Sequence, residues 1–140
     1  MMRLLTEWTR LRTGMVVAAL LIAVTGLSGC AGSARDAEAA DAARALHDAL
    51  ARRDGNAACA LLAPRAAEGL ETGGAVCREE ILRLDLAGGD VREVRVWGRA
   101  AQVRTAGDTL FLTRFASGWR VTAAGCEPRP AEPYDCEVEA

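Results

Sequence analysis

The sequence has no lysine, a single histidine and no two cysteines in CxxC spacing, and each shortage argues against a class of function. All positive charge comes from 17 arginines, which 19 acidic residues outweigh, so we predict no nucleic-acid partner. Because His47 is the only histidine, a zinc site is not expected, and we predict neither a metal nor a cofactor. A Gly-x-Ser-x-Gly motif, a phosphate-binding glycine loop and internal repeats are also missing.

A short apolar run near the start of the chain has the length of a cleaved signal peptide. Residues 1–14 carry three arginines against one glutamate, and residues 15–27 are thirteen uncharged residues. As a helix, at about 1.5 Å per residue, this run would be short of the roughly 30 Å of a bilayer core. An uncleaved signal anchor would have to extend through residues 28–33, which are small and include two glycines, a poor continuation of a helix.

The run ends at Leu27-Ser28-Gly29-Cys30, which resembles the lipobox of a bacterial lipoprotein. This resemblance implies that residues 1–29 are removed and that Cys30 becomes a lipidated first residue, with acyl chains holding it in the membrane. Residues 30–35 would then be the lipidated cysteine and a flexible tether. We therefore predict an extracytoplasmic protein, anchored to the outer face of the cell membrane by its lipid.

The remaining chain has the composition of one small exported domain. Residues 31–140 hold fourteen arginines and eighteen acidic residues, and their net charge of −4 is concentrated in residues 127–140. After Cys30 there are four more cysteines, an even number that predicts two disulfides in an oxidising compartment. Three pairings are possible, of which we favour Cys59–Cys77 and Cys126–Cys136 because each closes a local loop.

Apolar spacing of three and four residues predicts three helices in the first half of this domain, at residues 35–53, 57–63 and 76–84. Gly55 is expected to end the first helix in a left-handed conformation, and Asn56 to cap the second. After residue 89 the apolar spacing changes to alternation. It predicts strands at residues 91–97, 100–105, 109–115 and 119–121, with Phe111, Phe115, Trp119 and Val121 on one apolar face.

Short turns between these strands require antiparallel hairpins, and an apolar sheet face must be covered by the helices. We therefore predict an α+β fold at residues 36–126, in which three N-terminal helices pack on a curved four-stranded antiparallel meander. Residues 127–140 are predicted to be an acidic tail tied down by the second disulfide.

Helices followed by a sheet that ends in Gly118-Trp119-Arg120-Val121 resemble the NTF2-like cone. More narrowly, the motifs around Cys59-Ala60-Leu61-Leu62-Ala63-Pro64, residues 108–112, Gly125-Cys126-Glu127-Pro128 and Pro133-Tyr134-Asp135-Cys136 resemble a family of uncharacterised actinobacterial lipoproteins. The absence of lysine and the abundance of alanine are similar to proteins of such high-GC organisms.

NTF2-like enzymes use Asp, His and Tyr side chains at the mouth of the cone, and this chain has few candidates for those roles. His47 lies at the edge of the first helix, and a lone histidine there is more often structural than catalytic. Tyr134 is in the tail, and Asp85 and Asp108 sit at element ends where carboxylates commonly support turns. No catalytic residue is therefore assigned, although a small NTF2-like hydrolase or isomerase acting at the cell envelope is the alternative function.

Trp97 falls on the face of its strand opposite the apolar set, so it is either covered by the tail or exposed. Covering by the tail is the favoured interpretation; an exposed Trp97 beside Arg95 and Arg99 would be a contact site for a partner or an anionic ligand. The arginines of the solvent face are expected to pair with Glu93, Glu68 or Glu71. Trp119 is predicted to be in the core.

The predicted function is thus a non-catalytic binding module on a membrane-anchored lipoprotein. Its partner would be an envelope protein or a small apolar ligand, and the protein would be a monomer or a homodimer. A purely structural role in the envelope is the remaining possibility.

Overall fold

The computed structural model describes residues 30–140, and the chain divides into two compact units after Ser33. The predicted signal peptide, residues 1–29, lies outside the described residues. The described helices are α1 (Cys30–Ala51), α2 (Gly55–Leu61), α3 (Pro64–Gly69), a 3-10 turn (Thr72–Gly74) and α4 (Cys77–Glu80). The strands are β1 (Val91–Trp97), β2 (Ala100–Thr105), β3 (Thr109–Phe115), β4 (Gly118–Arg129) and β5 (Glu132–Glu139).

The first helix is longer at its start than the sequence pattern predicts. It begins at Cys30 instead of residue 35, so the backbone of the predicted tether is helical in the structure. Its end differs too, because Arg53 and not Gly55 takes the left-handed conformation, with φ of 55°.

Helix α2 is capped by Asp54 and not by Asn56, which corrects the predicted cap. The Asp54 side chain accepts a hydrogen bond from the backbone amide of Ala57 at 3.0 Å, which satisfies a donor that the helix itself leaves free. Gly55 is then the first helical residue. Its lack of a side chain allows close helix packing and is not used to reverse the chain direction.

Helix α2 approaches α4 so closely that only glycine fits at the contact. A Cβ on Gly55 would lie 2.0 Å from the carbonyl oxygen of Arg78. The Cys59–Cys77 disulfide joins the same two helices, so the favoured first pairing is present in the structure. Helix α4 is shorter than predicted because a hydrogen bond from Arg83 N to Glu80 O replaces the α-helical spacing there with a turn.

The sheet has five strands in the order β1-β2-β3-β4-β5, one more than predicted, and every neighbouring pair is antiparallel. The extra strand is the acidic segment that was predicted to be a tail, so that prediction is corrected to an edge strand. In β5 the charged residues Asp135 and Glu137 are exposed while Val138 is 1% exposed, so this strand has the alternation of a half-buried edge. Cys126 pairs with Cys136 across β4 and β5, and their disulfide is the second favoured pairing.

The hydrophobic core lies between the helices and one face of the sheet, which confirms the α+β prediction. Its largest fully buried side chains are Leu46, Ile81, Val103, Leu110, Leu112, Val121 and Val138. Trp119 is 6% exposed, as predicted. Phe111 does not join this core face, because Leu110 and Leu112 on either side of it do and consecutive strand residues point to opposite faces.

Candidate functional site

The single histidine contacts a buried carboxylate 61 residues further along the chain. His47 projects from α1, and its Nε2 lies 3.3 Å from Oδ2 of Asp108, the residue before β3. The two side chains are only 9% and 1% exposed. In the sequence His47 is only an edge histidine and Asp108 only a turn carboxylate, because no local spacing indicates that they meet.

The other oxygen of Asp108 is bound to β4. Oδ1 accepts hydrogen bonds from the backbone amides of Gly125 at 2.8 Å and Cys126 at 3.3 Å. The backbone amide of Asp108 donates to Oγ1 of Thr105 at 3.0 Å, which closes the β2–β3 turn. Asp108 therefore joins three parts of the fold: its carboxylate contacts helix α1 and strand β4, and its backbone amide closes the β2–β3 turn.

A cleft of about 810 Å³ lies beside His47, between α1 and the segment of residues 82–91. A Cβ on Gly88 would lie 3.2 Å from the imidazole Cγ, so the loop backbone packs directly on His47. Charged residues on the cleft wall are Arg44, Asp48, Arg53, Arg83, Asp85 and Asp90. With His47 and the carboxylates of Asp48, Asp85 and Asp90, this wall offers groups for acid–base and ionic contacts.

The second site-like feature is the face of the sheet that turns away from the core, where Trp97 is 52% exposed. Trp97 is the one large apolar side chain exposed to this degree among the described residues. The interpretation that the tail covers it is wrong, because residues 132–139 form strand β5 on the opposite edge of the sheet.

Other side chains continue this surface from Trp97 toward the centre of the sheet. Gln102 and Phe111 face each other across β2 and β3. Tyr134 reaches the same place from β5: its ring lies 5.1 Å from that of Phe111 in an edge-to-face arrangement, and its hydroxyl accepts a hydrogen bond from Gln102 Nε2 at 3.2 Å. We call the surface formed by Trp97, Ala100, Gln102, Phe111, Thr113 and Tyr134 the outer face.

Arginines border the outer face, and two of them share one carboxylate. Arg95 contacts Glu93 at 2.7 Å and Arg104 contacts it at 3.1 Å. The hydrogen bond from Arg95, followed by the attraction of both arginine charges, holds the pKa of the Glu93 carboxyl below its ordinary value. Arg99 instead donates two hydrogen bonds to the carbonyl oxygen of Arg114, at 3.0 and 2.8 Å.

The remaining predicted pairs differ from the structure. Arg114 binds Glu38 of helix α1 at 3.2 Å, and Arg120 donates to the carbonyl oxygen of Ala60, so the expected partners Glu68 and Glu71 are not used by these arginines. The backbone of Cys30, the predicted lipidation site, lies at the first residue of α1.

Within residues 30–140, no helix combines the length and apolarity needed to cross a bilayer. The described residues also contain no group of three or more His, Cys, Asp and Glu side chains placed to hold a metal ion. No protein-family profile, curated protein or solved structure matches the chain.

Proposed function

We propose that this protein is an extracytoplasmic lipoprotein, anchored by lipid on Cys30, whose folded domain is a non-catalytic binding module. The anchor rests on the motif Leu27-Ser28-Gly29-Cys30 after an apolar run of signal-peptide length. The two disulfides of the domain support export, because structural disulfides persist in oxidising compartments.

The observation that carries the binding role is the exposure of Trp97. A tryptophan that is half exposed in the free protein would bury a large apolar area on contact with a partner, and such residues dominate binding energies at interfaces. The small side chains of Ala100 and Thr113 lie in the same row of the sheet as Trp97. They leave room beside the indole for a protruding group of the partner.

The charges around the outer face indicate the chemistry of this partner. Arg95, Arg99 and Arg104 stand against the single carboxylate of Glu93, which leaves a positive excess at the border. We infer a protein partner of the cell envelope that offers an apolar pocket for Trp97 with carboxylates around it. Such an arrangement combines a buried aromatic anchor with a polar rim.

The anchor is tested by the full chain with Cys30→Ala, expressed in a bacterium that processes lipoproteins. The unaltered chain should lose residues 1–29, gain the mass of its acyl chains and partition into the detergent phase. The Cys30→Ala chain should do none of these. A Cys30→Ala chain that is still processed and lipid-modified would refute the anchor, whatever the domain binds.

The binding role is tested by placing an aromatic photo-crosslinking amino acid, which keeps an apolar ring on the outer face, at position 97 of the membrane-bound full chain. The matched control carries the same amino acid at the exposed position 65 of α3. One discrete crosslinked protein from position 97 and none from position 65 is expected. Trp97→Ala should then weaken binding of that purified protein without changing the melting temperature of the domain. Equal binding by Trp97→Ala would refute the assignment of the outer face.

A second candidate function is favoured by the contact between His47 and Asp108. A carboxylate within hydrogen-bond reach of an imidazole beside a cleft is the arrangement of a general base in a small hydrolase or isomerase. The arginines of that cleft would suit an anionic substrate. Inorganic phosphate and small carboxylates added to the full chain should shift the imidazole resonances of His47 if the cleft binds such groups, and unchanged resonances would refute this candidate.

The relation to NTF2-like proteins and to actinobacterial lipoproteins is part of the same proposal. The order of helices before an antiparallel sheet and the position of Gly118-Trp119-Arg120-Val121 at the start of β4 support it. The connection of residues 70–76, which holds only a 3-10 turn, counts against a full NTF2-like cone, because that fold has a strand pair at this point.

A further inference from the structure

Strand β1 is an edge of the sheet that residues 30–140 form. Within these residues the strand order places β2 on one side of β1 and no strand on the other. It is seven residues long, contains no proline and carries valines at positions 91, 94 and 96. An open edge of this kind is usually either protected or paired with another strand.

The hairpin geometry shows which groups face outward. The two-residue turn Gly98–Arg99 is closed by the pair Trp97 and Ala100, which in such hairpins exchanges both backbone hydrogen bonds. Hydrogen-bonded pairs then alternate along the ladder, so the amides and carbonyls of Val94 and Val96 point away from β2. Among the described residues, no backbone group outside the sheet bonds to Val94 or Val96.

We propose that a second copy of this chain pairs with β1, antiparallel and centred on Val94. In this register the outward amide and carbonyl of Val94 bond to those of the partner's Val94. Glu93 then lies opposite the partner's Arg95, and Arg95 lies opposite the partner's Glu93. Both charge pairs occupy the non-hydrogen-bonded positions, where opposite side chains are closest.

Charge selects this register over the alternative. A two-fold axis through the sheet requires opposite residues to share a face, so the pairing is centred on a single residue and not between two. Val94 is the middle residue of β1, so this centre pairs the whole strand, and a shift by one residue would centre the pairing on Glu93 or Arg95. Centring on Arg95 would place two arginines directly opposite each other, which is repulsive. The bulge at Arg92 limits regular pairing at the other end of the strand.

The pairing has a consequence for the outer face, although it is independent of the proposed binding function. Opposite residues share a face, so the two outer faces become one continuous surface. Trp97 of one copy and that of the other would lie about 20 Å apart along the strand direction, six residues at roughly 3.3 Å each. The dimer would therefore present two equivalent tryptophan anchors on the same side.

The test uses full chains in detergent that carry two different affinity tags. Glu93→Arg and Arg95→Glu each place like charges opposite each other, so each variant alone should self-associate about tenfold or more weakly than the unaltered chain. A mixture of the two variants restores both attractive pairs, so the differently tagged variants should co-purify with each other. The doubly exchanged chain, Glu93→Arg with Arg95→Glu, should self-associate again.

Arg65→Glu is the control, since it reverses an exposed charge away from β1. It should leave self-association unchanged. The inference is overturned if the unaltered chain is monomeric at tens of micromolar, if each single variant associates as well as the unaltered chain, or if the mixed variants fail to co-purify while their thermal unfolding shows both to be folded.

Discussion

Replacing Asp108 by alanine tests whether the contacts of its side chain with α1 and β4 stabilise the fold. The Asp108 carboxylate accepts two backbone amides, from Gly125 and Cys126, and contacts the imidazole of His47. Removing it leaves two amides without an acceptor, each costing about 1–3 kcal/mol where it is shielded from water. We therefore expect the free energy of unfolding of Asp108→Ala to fall by about 3–5 kcal/mol.

This loss is large for a domain of this size, whose total stability is expected to be about 5–15 kcal/mol. It corresponds to a melting temperature lower by roughly 12–40 °C, since 1 kcal/mol shifts a domain of about 100 residues by about 4–8 °C. Asp108→Asn is the matched control, because its amide oxygen still accepts the Gly125 and Cys126 amides. Asn at this position should retain most of the stability.

Urea unfolding followed by circular dichroism measures both variants, together with His47→Ala and the double variant Asp108→Ala/His47→Ala. The sum of the losses in unfolding free energy of the two single variants should exceed the loss of the double variant by about 1–2 kcal/mol, which is the coupling expected for a hydrogen bond to a carboxylate. An Asp108→Ala protein within about 1 kcal/mol of the unaltered one would refute the reasoning. Additive losses would show that the two residues act separately.

Three further outcomes are expected from the packing and charges of the domain. Gly55→Ala should destabilise it by about 1–3 kcal/mol in thermal unfolding despite alanine's better helix propensity, because its Cβ would meet the backbone carbonyl of Arg78; an unchanged melting temperature would show that α2 and α4 are less closely packed. Cys126→Ser/Cys136→Ser should cost about 2–3 kcal/mol and increase hydrogen exchange in β5 more than in β1, whereas uniform exchange would contradict a local role. The folded state lowers the pKa of the Glu93 carboxyl, so the stabilisation by Glu93 is present above its unfolded pKa and is lost as the pH falls through the folded pKa. The difference in melting temperature between the unaltered chain and Glu93→Gln should therefore shrink from pH 7 to pH 3. A difference that grows toward pH 3 would refute this.

Local signals in the chain indicate α1, α2 and the first four strands in the correct order. Apolar residues at helical spacing predict α1 and α2, and alternation from Val91 onward predicts β1, β2 and β3 with their observed bounds. The predicted fourth strand, residues 119–121, is much shorter than the observed β4, which extends over Gly118–Arg129. The favoured disulfide pairings were also correct, because each joins elements that are close in sequence and therefore close in space. These properties depend on neighbouring residues, which a sequence displays directly.

The fifth strand was missed because its pattern is weak. Charged residues dominate residues 132–139, and only Tyr134, Cys136 and Val138 alternate with them. The strand forms because β4 offers it a hydrogen-bonding edge and places Cys126 opposite Cys136, and neither of these is visible in the local sequence. The same applies to Phe111, whose neighbours Leu110 and Leu112 compete for the core and occupy it.

The sequence by itself determined the positions of α1, α2 and the first three strands, and it contains the motif at residues 27–30 on which the proposed lipid anchor rests, because each of these is a pattern of contiguous residues. Only the tertiary structure decided that His47 meets Asp108, that Trp97 is exposed and that β1 is left as an open edge. Those features depend on contacts between segments tens of residues apart, and packing of the whole domain, not local spacing, selects which segments meet.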